Sequence, residues 1–144
     1  MPAPYIHELR VRYGECDPQG IVFNANYLMY FDVAFTELWR AGVGAWLEMV
    51  DRGVDAVVAN ANLDFRSPAR FDDVLQLSSR VTRLGQTSIT TEINVLRDGE
   101  LLVAGRLRHV CVSAPLGPDR KATSTPWPDW VRQGLAPFVV PGDQ

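Results

Sequence analysis

The sequence predicts an α+β fold, in which one antiparallel sheet of about five strands packs against a long central helix. Three observations lead to this prediction. The 144-residue chain opens with a segment of period-2 alternation, continues with one helix-period segment at 24–41, and then contains four strand-like segments joined by short turns. The length suits a single domain over residues 1–144, with a proline-rich C-terminal segment from about residue 115.

The first strand is predicted in YIHELRVRY, because alternate residues of this segment fall on opposite faces. A turn at 14–20 follows, and then the helix from Asn24 to about residue 41. Its mainly apolar side is predicted to comprise Tyr27, Leu28, Phe31, Ala34, Phe35, Leu38 and Trp39. Because Met29 and Val33 interrupt the opposite, polar arc, we expect this helix to be covered on more than one side.

The sheet is completed by four strands, which follow a second short helical segment in AGVGAWLEMVDRG. The first is VVANANLDFR, predicted to place Val57, Ala59, Ala61, Leu63 and Phe65 on one face. The other three strands are predicted in VLQLSSRVTRL, TSITTEINVLR and LLVAGRLRHVCVS. Asp98 and Gly99 form the two-residue hairpin turn between the last two strands, where positive φ is required. We expect one short helix near PDWVRQGL.

The composition excludes several classes of protein. Apolar residues make up 47% and charged residues 22% of the chain, as in ordinary globular proteins, and the net charge of −3 gives no electrostatic basis for binding nucleic acid. No run approaches the roughly 18 apolar residues of a membrane span, and MPAPYIHELR lacks the apolar core of a signal peptide. We therefore expect a cytoplasmic protein with two reduced cysteines and no membrane partner. No metal is expected either, because two cysteines and two histidines show no ligand spacing.

A single sheet with one helix has two open edges and an incompletely covered face. A second copy of the chain would cover them. We therefore expect a homo-oligomer.

The stretch RYGECDPQGIVFNANYLMYFDVAFTE resembles the N-terminal signature of the 4-hydroxybenzoyl-CoA thioesterase family of hotdog-fold proteins. CDPQGIV matches the Asp-x-x-Gly turn of that family, and NANYLMYFD its helix start. The likeness continues through ANANLDFRSPARFDD and LRHVCVS, to about residue 114. It implies a helix wrapped by a curled antiparallel sheet, a dimer that often pairs into a homotetramer, and hydrolysis of an acyl-CoA. It implies no cofactor, since coenzyme A is part of the substrate.

The resemblance also implies roles for individual residues. Asp17 matches the catalytic carboxylate and Gly20 the turn glycine, while the backbone N–H near Asn24 is expected to hold the thioester carbonyl. Many relatives carry histidine at the position of Asn24. Arg66 and Arg70 are candidates for the CoA phosphates, because guanidinium binds phosphate through a planar fork; exposed surface arginines are an equally good interpretation.

Ordinary structural roles compete with these functional ones. Asp17 could form or cap a turn. Glu15 is a rival for the role of acid, but we expect its side chain to point away from that of Asp17. Asp32 could supply the carboxylate from the helix, although a salt-bridged or solvated residue is favoured. Packing is favoured over nucleophilic chemistry for Cys16, and a hydrogen-bonded sheet residue over a base for His109.

Aromatic side chains at the start of the helix have a similar ambiguity. Tyr27, Tyr30 and Phe31 are expected in the core, with one ring able to line an acyl pocket; we assign Tyr27 to substrate binding.

Three functions fit the fold: an acyl-CoA thioesterase, a hydratase, and an acyl-CoA-binding protein without activity. The hydratases of this fold use an aspartate followed five residues later by histidine, and Val22 occupies that position here. Thioesterase activity is therefore predicted, with the inert binding protein as the alternative.

Overall fold

The computed structural model describes residues 3–119 and 121–140. Residues 1, 2 and 141–144 of the predicted domain, and residue 120 of its proline-rich segment, lie outside the described residues. The helices and strands follow in this order: β1 (Tyr5–Arg10), α1 (Asn26–Gly42), α2 (Trp46–Asp51), β2 (Val54–Phe65), β3 (Val74–Leu84), β4 (Ser88–Arg97), β5 (Glu100–Ser113) and α3 (Asp129–Leu135). Both short helices lie where the sequence predicts them.

All five strands form one antiparallel sheet in the order β1-β3-β4-β5-β2. The hairpin between β4 and β5 turns at Asp98 and Gly99, whose φ angles are 49° and 82°. Positive φ at both positions is the requirement of the predicted two-residue turn. The predicted α+β class and the five-stranded sheet are confirmed.

The core lies between one face of the sheet and α1, a helix of 17 residues. Alternate residues of the three central strands are buried on that face, as the period of a strand requires. Gly105 of β5 lies directly beneath Phe31, and a Cβ at position 105 would overlap the Phe31 ring. The helix therefore approaches β5 more closely than any side chain at that position would permit.

Two details of the predicted helix are wrong. α1 begins at Asn26, not Asn24, because residues 23–26 form a tight turn with N–H bonds from Asn26 to Phe23 O (2.9 Å) and from Tyr27 to Asn24 O (3.3 Å). Leu28 is 40% exposed, whereas Tyr30 is fully buried. Because Met29 is also 40% exposed, the second side of the helix is open in this chain by itself.

The edge strand β2 differs most from its predicted pattern. Residues 58–62 are all exposed, and a β-bulge lies between Val58 and Asn60 in its pairing with β5. The extra residue interrupts the alternation, so the predicted single face from Val57 to Phe65 does not exist.

Candidate active site

The turn that carries Asp17 is closed by its own hydrogen bonds. Asp17 N–H donates to Ile21 O (2.9 Å), Gly20 N–H donates to Asp17 O (2.9 Å), and Gln19 N–H donates to Asp17 Oδ1 (2.8 Å). Pro18 occupies the second position of this turn, where its fixed φ is favourable. Gly20 has φ of 81°, a left-handed conformation that suits glycine. The turn thus fixes the Asp17 backbone and one oxygen of its carboxylate.

The chain then enters α1 with two free N–H groups. Among the described residues, neither Asn24 N–H nor Ala25 N–H has a hydrogen-bond acceptor. They precede the first turn of the helix, where the helix dipole favours negative charge. These N–H groups are therefore suited to binding an oxyanion.

A cleft of about 440 Å³ brings the turn, the helix start and the end of β2 together. Four of the predicted site residues line it: Asp17, Asn24, Tyr27 and Arg66. The other lining residues are Gln19, Ile21, Val22, Phe65, Ser67 and Pro68. Gly20 and Arg70 are not among them. The structure places Asp17, Asn24, Tyr27 and Arg66 in one cleft. The catalytic and binding roles of all six predicted site residues remain predictions.

Tyr27 lines the cleft, and its hydroxyl is hydrogen-bonded within the protein. The ring packs edge-to-face against Phe65, with centroids 5.6 Å apart, and the hydroxyl accepts a hydrogen bond from Ala69 N–H (3.0 Å). Tyr27 and Ala69 are both buried, and this burial raises the pKa of the Tyr27 hydroxyl. Because Ala69 O in turn accepts from Val22 N–H (2.8 Å), this bond links the 66–70 segment to the helix and the Asp17 turn.

Glu15 does not line the cleft, and its environment was not predicted. It ends a short 3-10 helix (Tyr13–Glu15) and does not lie on extended chain. The residue is 7% exposed, and its carboxylate accepts hydrogen bonds from Tyr30 OH (2.9 Å), from Arg12 N–H (2.8 Å) and from the Arg12 guanidinium (2.8 Å at Nε). Burial opposes ionisation, but these hydrogen bonds outweigh it and hold the pKa of Glu15 below its ordinary value. Glu15 is therefore a buried, ionised and fully bonded carboxylate beside the site.

The two candidate phosphate-binding arginines differ in position. Arg66 lies at the cleft, although its guanidinium pairs with the exposed Asp64 carboxylate (3.2 Å). Arg70 is exposed, and its backbone N–H donates to Asp73 (2.8 Å). Arg97 forms an ion pair of 2.6 Å with the same Asp73, and this pair anchors the loop between β2 and β3 that follows the lining residues.

The competing candidates lie outside the cleft. Asp32 is exposed and has no ion pair with any described residue. Cys16 packs partly buried against the core as a free thiol whose pKa is raised by desolvation, which disfavours the reactive thiolate. Desolvation also raises the pKa of the Asp32 carboxyl. Neither Asp32 nor Cys16 lines the cleft that contains Asp17.

His109 is buried on β5 and stacks on Phe35, with ring centroids 3.8 Å apart. Burial lowers its pKa to about 4, so the ring is neutral near pH 7. Within the described chain its Nδ1 has no hydrogen-bond partner. The expectation of a hydrogen-bonded residue is therefore wrong at Nδ1; the ring is held by its stacking on Phe35.

Within 3–119 and 121–140, no three side chains of His, Cys, Asp or Glu are grouped so that they could hold a metal ion. Over the same ranges, no helix has the length and apolar character needed to cross a membrane.

Comparison with known proteins gives one consistent result. The family model of the thioesterase superfamily matches residues 19–104. The chain is 30% identical to the acyl-CoA thioester hydrolase YbgC of Escherichia coli O6:H1, over 72% of this chain and 78% of that protein. It is 31% identical to the 4-hydroxybenzoyl-CoA thioesterase of Pseudomonas sp. CBS-3, over 61% of this chain and 64% of that one. A solved thioesterase-superfamily structure from Jannaschia sp. CCS1 superposes with a TM-score of 0.84 at 26% identity, covering 97% of this chain and 98% of the other.

Proposed function

The chain belongs to the thioesterase superfamily and is a thioester hydrolase, and we propose that it hydrolyses an acyl-CoA to the free acid and coenzyme A in the cleft at the start of α1. One observation carries the assignment of the site. Asp17 and Asn24 line the same cleft, and the backbone N–H groups of Asn24 and of the adjacent Ala25 have no acceptor among the described residues.

Thioester hydrolysis needs a group that delivers oxygen and a group that stabilises the resulting oxyanion. Asp17 delivers oxygen in one of two ways. Its carboxylate attacks the carbonyl carbon and expels the CoA thiolate, leaving an anhydride that water hydrolyses, or it removes a proton from an attacking water. In both routes the carbonyl oxygen becomes negative and accepts hydrogen bonds from the N–H groups near Asn24. Because thiolate leaves readily, no strong general acid is needed.

The remaining lining residues suit the two ends of the substrate. Ile21, Val22 and Pro68 offer apolar surface for the acyl group, with the rings of Tyr27 and Phe65 beside them. Arg66 carries the positive charge at the cleft, and we assign it to the CoA phosphates. Arg70 is exposed and does not line the cleft, but its backbone pairs with Ile21, which does, and we keep it as a second candidate for these phosphates.

The test is the variant Asp17→Asn, which keeps the shape of the side chain and removes its charge. We expect kcat for acyl-CoA hydrolysis to fall by about 10²–10⁴-fold, the range for losing a positioned acid or base. Binding of the acyl-CoA should persist, because the N–H donors and the lining residues are unchanged. The assay is thiol release from a panel of acyl-CoAs, with equilibrium binding of the same compounds measured in parallel.

Asp32→Asn is the matched control, since it removes an exposed carboxylate on α1 that does not line the cleft and should lower turnover little. Parent-like turnover by Asp17→Asn, together with loss of turnover in Asp32→Asn, would place the site on the helix instead. Binding without any turnover by the parent protein would favour the inert acyl-CoA-binding alternative.

We also propose that the enzyme works as a homo-oligomer, a dimer or a tetramer. The support is the exposed edge strand β2 and the open side of α1 at Leu28 and Met29. Analytical sedimentation at micromolar protomer concentration should give at least a dimer. A stable folded monomer would contradict the proposal. The two unpaired thiols favour a reducing compartment, and we place the enzyme in the cytoplasm.

A further inference from the structure

We infer that Glu15 is a positioning residue of the proposed reaction, which fixes the Asp17 turn relative to the N–H groups at the start of α1. This inference rests on the proposed function of Asp17. Glu15 does not line the cleft, so it acts through the segments it binds.

The side chain of Glu15 connects the turn to the body of the helix. Oε1 accepts from Tyr30 OH (2.9 Å), one turn into α1, and from Arg12 N–H (2.8 Å); Oε2 accepts from the Arg12 guanidinium. Tyr30 is fully buried, so its hydroxyl has a fixed position. A buried carboxylate that accepts hydrogen bonds on both oxygens has one favourable placement, because moving it leaves buried donors and acceptors unpaired.

The backbone carbonyl of Glu15 connects the same residue to the helix start. It accepts hydrogen bonds from Phe23 N–H (2.9 Å) and from the Asn26 side-chain amide (2.8 Å). Phe23 and Asn26 lie on either side of Asn24 and Ala25, whose N–H groups are the proposed oxyanion donors. Asp17 follows Glu15 by two residues. A single residue therefore holds both the carboxylate and the donors that must meet at one carbonyl carbon.

The expected consequence follows from the tolerance of catalytic geometry, in which a displacement of about 1 Å can cost about 10²-fold. Glu15→Gln keeps the size and the backbone carbonyl of the residue, but places an NH₂ group where Tyr30 or Arg12 donates. We expect kcat to fall by about 10–100-fold while KM changes by less than about threefold. Tyr30→Phe removes only the hydroxyl and should lower kcat by at least about fivefold, with KM again little changed.

The decisive measurement is the double variant Glu15→Gln/Asp17→Asn. If Glu15 acts by placing the Asp17 carboxylate, its substitution should lower kcat by less than about threefold once that carboxylate is gone. A role in general stability would instead lower kcat by the same factor in both backgrounds. Glu8→Gln is the matched control, because Glu8 is exposed on β1 and should leave kcat and KM unchanged.

Melting temperature and oligomer size are measured for each variant. If Glu15→Gln does not fold, Tyr30→Phe takes its place. Its kcat is then compared in the parent and in the Asp17→Asn background by the same criteria. The positioning role is overturned if Asp17→Asn loses activity while Glu15→Gln or Tyr30→Phe keeps the parent kcat. It is also overturned if Glu15→Gln raises KM and leaves kcat unchanged. A third contrary result is a double variant in which the kcat losses of Glu15→Gln and Asp17→Asn multiply. Parent-like turnover by Asp17→Asn overturns the proposed function itself, and the positioning role with it.

Discussion

The Tyr27 hydroxyl makes a hydrogen bond whose loss can be measured directly. Tyr27→Phe leaves the ring against Phe65 but removes the acceptor of Ala69 N–H. Ala69 is fully buried, so no water can replace the lost acceptor without a rearrangement of the segment. The bond also lies between residues 42 positions apart in sequence, and it fastens the segment that forms one wall of the cleft.

The magnitude follows from the buried donor that is left unpaired. A buried N–H without a partner costs about 1–3 kcal/mol, whereas an ordinary protein hydrogen bond that replaces bonds to water contributes about 1 kcal/mol net. We therefore expect the free energy of unfolding of Tyr27→Phe to be lower by about 1–3 kcal/mol. For a chain of this length each kcal/mol lowers Tm by roughly 2–4 °C, so Tm should fall by about 2–12 °C.

The measurement is denaturant unfolding at one fixed protomer concentration, because association shifts apparent stability. Tyr13→Phe is the matched control, since it removes the hydroxyl of a tyrosine that is 84% exposed. A difference between Tyr27→Phe and the parent smaller than about 0.5 kcal/mol, the usual range for surface substitutions, would refute the reasoning. So would an equal loss in Tyr13→Phe.

Two further predictions concern pH and metals. His109 has a folded pKa of about 4, below its unfolded value of about 6.5, so the unfolded chain binds the extra proton as pH falls. The contribution of His109 to stability is full above pH 6.5 and decreases by about 3 kcal/mol as pH falls to about 4. The variant His109→Gln should lack this part of the pH dependence in urea titrations, and an unchanged dependence would contradict the prediction. Chelation by EDTA should leave turnover unchanged, because the two cysteines and two histidines lack ligand spacing; loss of turnover that a divalent ion restores would show that a metal is required.

Local patterns predicted the elements well, because each depends on residues close in sequence. Period-2 alternation in the central strands corresponds to one buried face, and the Asp98-Gly99 turn has the φ values that its residues favour. The bulge in β2 was not predictable, since it depends on how Val58 and Asn60 pair with His109 and Arg108, residues far along the chain. The helix start was predicted two residues early, because a tight turn and a first helical turn have the same local composition.

The site was predictable only in the part that a sequence motif carries. Asp17 and Asn24 belong to one short stretch, and they do share a cleft. Phe65, Ser67 and Pro68 come from the end of β2 and its following loop, and only the folding of the sheet brings them to that stretch. Glu15 was weighed only as a rival acid. A charged residue followed fifteen positions later by tyrosine gives no signal in sequence that the two are bonded in the core.

Gly105 never touches the cleft, yet it bears on which acyl groups the enzyme could accept. Phe31, which rests on Gly105, lies one helical turn after Tyr27, whose ring forms part of the cleft wall. A methyl group at position 105 would displace the buried Phe31 ring, and any shift of α1 that accommodates this ring would move Tyr27 as well. Selectivity for the length of the acyl chain can therefore change through a substitution beneath the helix while every residue in contact with the substrate stays the same.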